Sequence, residues 1–236
     1  MTDEALLRLT NLHSGYGKVK IVEDISFAVK RGEILAIIGR NGVGKTTLMR
    51  SLIGQIPVHS GTIELAGRPI TNLSVPRRAA LGMGYVPQGR EIFGKLSVAA
   101  NLELGQGVGA AKELNLKAAF DYFPILEKRL QQPAGSMSGG EQQQLAIARI
   151  IVGQPQIMLL DEPSEGVQPS IVQDIGRAIM RLSAERGLTI VIVEQNLSLI
   201  QMVADRCLVM DKGQIIAEIP PAALADPETA RTYLAI

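Results

Sequence analysis

Gly39-Arg40-Asn41-Gly42-Val43-Gly44-Lys45-Thr46 decides the fold. Its spacing, a glycine, four residues and then Gly-Lys-Thr, is that of a loop that wraps phosphate groups. The apolar run Ile34 to Ile38 enters it as a strand and Thr46 to Leu52 leaves it as a helix, the strand-loop-helix context the spacing requires. Gly42 and Gly44 let main-chain N–H groups curl inward around a polyphosphate, and the start of the following helix adds partial positive charge. Side chains at those two positions would block the approach. Lys45 supplies a point charge for the β- and γ-phosphates, and the Thr46 hydroxyl is a hard oxygen suited to Mg2+.

A second stretch completes the chemistry. Ile157-Met158-Leu159-Leu160-Asp161-Glu162 is an apolar strand ending in two acids, which places both carboxyls at the carboxyl edge of a sheet, where open α/β sheets bind ligands. Asp161 is assigned to Mg2+, directly or through water, and Glu162 to orienting and deprotonating an attacking water. Gln88 follows Pro87 at another strand end, where a neutral amide can sense the metal or the water. Ser138 and Glu141 bracket Gly139 and Gly140 at the start of a helix, a capping box in which the helix N-terminus could equally bind an anion.

Around these stretches the chain alternates between two patterns. Leu6 to Thr10 and Ile21 to Val29 read as strands with one wet face, joined through a turn over Ser14 to Lys18 that displays Tyr16, and Thr62 to Leu65 reads as a third antiparallel piece. Ile34 to Ile38, Gly84 to Val86, Ile157 to Leu160, Leu188 to Val193 and Cys207 to Met210 are apolar on both faces, as parallel strands under helices are. Ser170 to Arg186 is the clearest covering helix. Asp211-Lys212-Gly213 turns the chain into Gln214 to Ala217, and Pro220-Pro221 precedes a short helical tail. From Pro87 to about Pro155 strand signals stop; Val98 to Leu104, Leu114 to Phe123 and Glu141 to Val152 read as helices, with a mobile loop expected at Gly105 to Gly109.

The 236 residues suffice for one large α/β domain with an insertion, and a net charge of +1 with interspersed signs offers neither nucleic acid nor anionic lipid a basic surface. The single Cys207 cannot form an internal disulfide and reads as a core residue, favouring a reducing compartment. His13 and His59 are isolated and read as surface or turn residues. The acidic start Met1 to Glu4 is unlike a signal peptide, and no apolar run is long enough to span a bilayer.

In this order the phosphate loop, Gln88, Ser138-Gly139-Gly140 and Asp161-Glu162 resemble the ATP-binding-cassette (ABC) ATPases over essentially the whole chain. The resemblance implies a P-loop NTPase, RecA-like α/β fold: a parallel-sheet core with an antiparallel β-subdomain (residues 1–88 and 155–236) and an inserted helical subdomain (about 89–154). It implies that Gly39 to Thr46, with Thr47, bind ATP as Walker A; that Gln88 is the Q-loop; that Ser138, Gly139, Gly140 and Glu141 are the signature; and that Asp161-Glu162 is Walker B. Thr46, Gln88 and Asp161 become the Mg2+ residues, and Tyr16 becomes the aromatic that stacks on adenine. Within the family, Tyr85 to Phe93 and Glu162 to Ser170 look like the branched-chain amino acid importer group. Arg40 to Val43 and Glu165 to Ser170 look most like its urea-transporter ATPase subunit. The implied setting is the cytoplasmic face of the plasma (inner) membrane, with a second, non-identical ATPase subunit, two membrane permease subunits and, indirectly, an extracytoplasmic solute-binding protein as partners, and no nucleic acid. Four positions depart from the common pattern: Met137 and Glu141, on either side of Ser-Gly-Gly, where Leu and Gln are usual; Gln168 at the usual Asp of the D-loop; and Gln195 at the switch His. Gln195 is therefore expected to position the γ-phosphate or water by neutral hydrogen bonds.

Overall fold

Burial of every residue of β3 (Ile34–Ile38) shows why the phosphate loop sits where it does. Ile34, Ala36 and Ile38 pack into one apolar cluster, and Leu35 and Ile37 into another on the opposite face. A strand with no wet face must lie inside a sheet covered on both sides. The computed structural model describes residues 5–107 and 115–234; Met1 to Glu4, part of the expected Gly105 to Gly109 loop, and Leu114 lie outside them.

Before β3, β1 (Ala5–Tyr16) and β2 (Val19–Lys30) form a hairpin. After it come α1 (Lys45–Ile53), β4 (Val58–Leu65), β5 (Arg68–Pro69), α2 (Val75–Ala80) and β6 (Met83–Val86). The next segment carries α3 (Val98–Glu103), α4 (Leu116–Phe120) and α5 (Gly139–Ile151). The chain closes with β7 (Ile157–Asp161), α6 (Pro169–Arg186), β8 (Thr189–Val193), α7 (Leu197–Val203), β9 (Arg206–Asp211), β10 (Gln214–Ile219) and α8 (Pro227–Leu234). One sheet has the order β2-β1-β4-β5 and is antiparallel throughout. The other has the order β10-β9-β3-β8-β7-β6, parallel except for its β10 edge. The cluster that takes Ile34, Ala36 and Ile38 also holds α5 and α6 side chains, whereas the opposite face packs on α1 and the antiparallel sheet.

Some expectations needed correction. Ser14 to Tyr16 are extended, not a turn: Ser14 is fully buried and bonded to Ser51 Oγ and the Pro57 carbonyl, so β1 runs on to Tyr16 and the chain reverses at Gly17-Lys18. His13 and His59 accordingly lie in strands β1 and β4. The helix expected over Leu114 to Phe123 is confined to Leu116–Phe120 among the described residues. Asn115 caps its start through the Ala118 N–H, and Pro124 disfavours helical backbone at Phe123. A 3-10 turn occupies Leu104–Gly107, in the first part of the expected loop. The short helices α2 and α7 were not anticipated; each is two turns or less, too little for a periodic pattern to register.

Candidate nucleotide site

Four neighbouring parallel strands deliver the site. In spatial order β3, β8, β7 and β6 end at one edge, with Ile37 level with Val193, Val193 with Asp161, and Leu160 with Val86. The residues just past those ends are therefore brought side by side: the phosphate loop, Glu194-Gln195, Asp161-Glu162 and Gln88.

The loop is held from beneath. A Cβ on Gly39 would lie 2.2 Å from the Met210 carbonyl oxygen, and one on Gly44 would meet Ile21 and the Met210 side chain at 3.0 to 3.2 Å. Glycine at those two positions is thus required by packing against β9 and β2, a constraint additional to the phosphate approach. Lys45 is 5% exposed, and its ammonium donates to the carbonyls of Gly39 (2.6 Å) and Arg40 (2.8 Å), crossing the loop from inside. Burial lowers its pKa, while Glu162, Asp161 and Glu194, in that order, oppose the shift.

Asp161 is 1% exposed. It accepts from the Thr46 hydroxyl and the Tyr85 hydroxyl, both at 3.2 Å. Desolvation pushes its carboxyl up to about 6 against the pull of those two bonds. Glu162 turns away from the sheet with φ of 50°, a left-handed backbone that costs a non-glycine residue energy and recurs where a side chain must be aimed. Its N–H still bonds the Val193 carbonyl at 2.8 Å, so the turn is anchored. One carboxylate oxygen accepts from Gln195 Nε2 at 2.7 Å and the other from Gln88 Nε2 at 3.3 Å. Gln195 Nε2 also donates to Asn41 Oδ1 at 2.6 Å, tying β8's end to the phosphate loop. Gln195 itself is set by Glu194, which is 2% exposed and accepts from the N–H groups of Ser164, Gln195 and Asn196 and from the Ser164 hydroxyl. Burial raises the pKa of Glu194 against those bonds.

A cleft of about 320 Å³ opens over these groups, lined by Tyr16, Ile21, Asn41, Gly42, Gly44, Lys45, Thr46, Thr47, Gln88 and Glu162. Tyr16 stands at its rim, 46% exposed, its hydroxyl 3.3 Å from Arg50 Nη1. Arg40 and Val43 belong to the loop without lining this cleft. Ser138, Gly139, Gly140 and Glu141 do not reach it either; they start α5, where the capping box is formed, Glu141 N–H to Ser138 Oγ at 3.3 Å and Ser138 N–H to Glu141 Oε2 at 2.9 Å. A larger cleft of about 460 Å³ between α5, α6 and residues 122–125 has no glycine loop or lysine to receive phosphate.

Sequence reasoning missed Tyr85 and Glu194. Tyr85 is the one aromatic of β6, and only the pairing of β6 with β7 shows that its hydroxyl reaches Asp161. Glu194 had a signal: like Asp161, it directly follows a run of apolar residues, Ile190 to Val193.

Residues 22–165 match the ABC transporter family. The chain belongs to that family. This cassette is 38% identical over 233 residues to the high-affinity branched-chain amino acid transport ATP-binding protein BraG of Pseudomonas aeruginosa, covering 97% of this chain and 99% of the relative. It is 35% identical over 237 residues to the lipopolysaccharide export system ATP-binding protein LptB of Escherichia coli, covering 98% and 97%. The crystal structure of the ADP conformation of an ATP-binding cassette of an ABC transporter superimposes with a TM-score of 0.83 at 28% identity, over 97% of this chain and 98% of that one. The cassette is thus a nucleotide-binding, ATP-hydrolysing subunit of an ABC transporter, and its P-loop fold agrees with its structural neighbours. Among the described residues no helix is long and apolar enough to cross a membrane.

Proposed function

We propose that this ATPase energises an importer of a small nitrogenous solute, urea or a short amide, with Glu162 as the general base. One observation carries the catalytic half: Gln195 Nε2 bonds both Glu162 Oε1 and Asn41 Oδ1, so the base, the residue at the switch position and the phosphate loop form one connected unit. Glu162 orients the attacking water and takes its proton. Lys45 neutralises developing charge on the β- and γ-phosphates, and Tyr16 at the rim stacks on adenine. Gln195 cannot act as a general acid or base, so it positions the γ-phosphate or water through its neutral amide.

The donor set fits Mg2+. Thr46 Oγ1 and Asp161 Oδ1 are hard oxygens 3.2 Å apart, and Gln88, whose side chain carries an amide oxygen, lines the same cleft as Thr46. Bound there, Mg2+ would supply charge compensation for the β,γ-bridge.

We treat about 89–154 as a helical subdomain that presents Ser138 to Glu141 to a second cassette. Ser138 is exposed and lies outside this chain's own phosphate cleft, which supports a site completed by another subunit. A partner carrying His and Asp where this chain has Gln195 and Gln168 makes the two sites unequal. Two permease subunits turn the cycle into alternating access on the cytoplasmic face of the membrane, and an extracytoplasmic binding protein delivers the solute.

The solute reading rests on Arg40 to Val43 and Glu165 to Ser170. Branched-chain amino acids are the second reading, favoured by the likeness to BraG. The test is reconstitution of this chain with its second ATPase and both permeases in proteoliposomes. Binding protein is added and hydrolysis is followed with urea, acetamide or leucine. Stimulation by urea or acetamide is expected; leucine alone would select the second reading, and no stimulation by any solute would overturn import of this class. In the same liposomes, Lys45→Ala here and the matching change in the partner should leave unequal residual rates. Equal rates, or full function with this chain as a homodimer, would contradict the asymmetric pair.

A further inference from the structure

The Gln88 amide does not belong to Glu162 alone. Its Nε2 is 3.0 Å from Glu165 Oε2, shorter than its 3.3 Å contact to Glu162 Oε2. One nitrogen therefore spans two carboxylates from the same loop. That loop is gripped again by Arg90, whose Nη2 donates to the carbonyls of Glu165 (3.3 Å) and Gly166 (3.2 Å). The grip requires an unusual chain path: Gly89, Arg90 and Glu91 all have positive φ, 82°, 73° and 45°. Two of the three are not glycine, and such backbone persists where surrounding contacts over-determine it. The guanidinium also fills the space over Gly139, where an added Cβ would lie 2.9 Å from Nη1. Arg90 thus touches the residues after Glu162 and the first residue of α5 at once.

We propose that Glu165 is a positioning residue for hydrolysis: it holds the Gln88 amide beside Glu162, while Arg90 clamps the backbone of Glu165 and Gly166. The loops 88–91 and 162–166 then move as one body, and the start of α5 moves with them. Glu165 acts only through Gln88. The inference rests on the reading of Glu162 as the base.

The test is a double-mutant cycle on the intact chain in its transporter complex: Gln88→Ala, Glu165→Ala and both together. Steady-state hydrolysis, binding of a non-hydrolysable ATP analogue and thermal unfolding are measured on each. Losing a charge-assisted hydrogen bond predicts that Glu165→Ala lowers kcat about tenfold. KM, analogue affinity and melting temperature should stay near wild type, because Glu165 is exposed and outside the phosphate cradle. The double variant should be no slower than Gln88→Ala, and Glu165→Gln, whose amide oxygen can still accept the bond, should recover most of the rate. Multiplicative losses in the double variant, or wild-type kcat in Glu165→Ala, would overturn the proposal. A Glu162→Gln variant with wild-type turnover would instead remove the base assignment and leave the Gln88–Glu165 coupling measurable by itself.

Discussion

Asp161 shows how the site opposes the stability of the chain that carries it. In the metal-free site burial pushes its carboxyl up to about 6, outweighing the Thr46 and Tyr85 hydrogen bonds. The unfolded carboxyl titrates near its ordinary 3.8, so between those values the folded state binds the extra proton. Stability therefore falls as pH rises through that window. The penalty is absent below about 3.8 and complete above about 6. The interval between the two values bounds it at ~3 kcal/mol. Asp161→Asn removes the charge but sacrifices one acceptor, about 1 kcal/mol. Without Mg2+ or nucleotide, the variant is expected to have an unfolding free energy about 1–2 kcal/mol above wild type at pH 7.5, measured by denaturant titration. The gain should vanish as pH approaches 4, and it comes with loss of Mg2+-dependent hydrolysis. A variant less stable than wild type at pH 7.5 would show that the hydroxyl bonds outweigh the desolvation.

At the scale of elements, α5 separates folding from function. Ser138 caps α5 and Glu141 returns the bond, with Arg129 held 2.9 Å from Glu141 behind it. Ser138→Ala should cost about 1 kcal/mol of unfolding free energy, whereas Ser138→Asp, an equally good cap, should cost little. If Ser138 faces a partner's γ-phosphate, the aspartate variant places like charge against it and should lower hydrolysis at least about tenfold with stability kept. Normal turnover in Ser138→Asp would return this segment to a capped helix and nothing more. The same elements show what was legible in the sequence. The five strands with two buried faces were readable because apolar runs of that length fit nothing else when glycines and prolines bound them. The phosphate loop and the Asp161-Glu162 pair were readable because their spacing is local. Tyr85 on Asp161, and Gln88 shared between Glu162 and Glu165, were not. Those contacts depend on β6 pairing with β7, a neighbour relation that joins residues more than seventy positions apart. Tyr16 was misread as a turn because Ser14, which keeps the strand extended, finds its partners at Ser51 and Pro57.

For the whole molecule, the parallel sheet converges four strand ends on one phosphate loop, while Ser138 to Glu141 start α5 outside that cleft. On the proposed reading, that division leaves the chemistry waiting on another subunit. In the proposed mechanism Glu162, held between Gln195 and Gln88, takes the proton from water. The most direct measurement is single-turnover hydrolysis by Glu162→Gln, in a contaminant-free preparation, beside ATP binding and size-exclusion analysis of the same sample. The side chain keeps its shape and loses its basicity, so hydrolysis should fall by about 10²- to 10⁴-fold. ATP affinity should be retained and an ATP-bound dimer should accumulate; hydrolysis at the wild-type rate would contradict the assignment of the base.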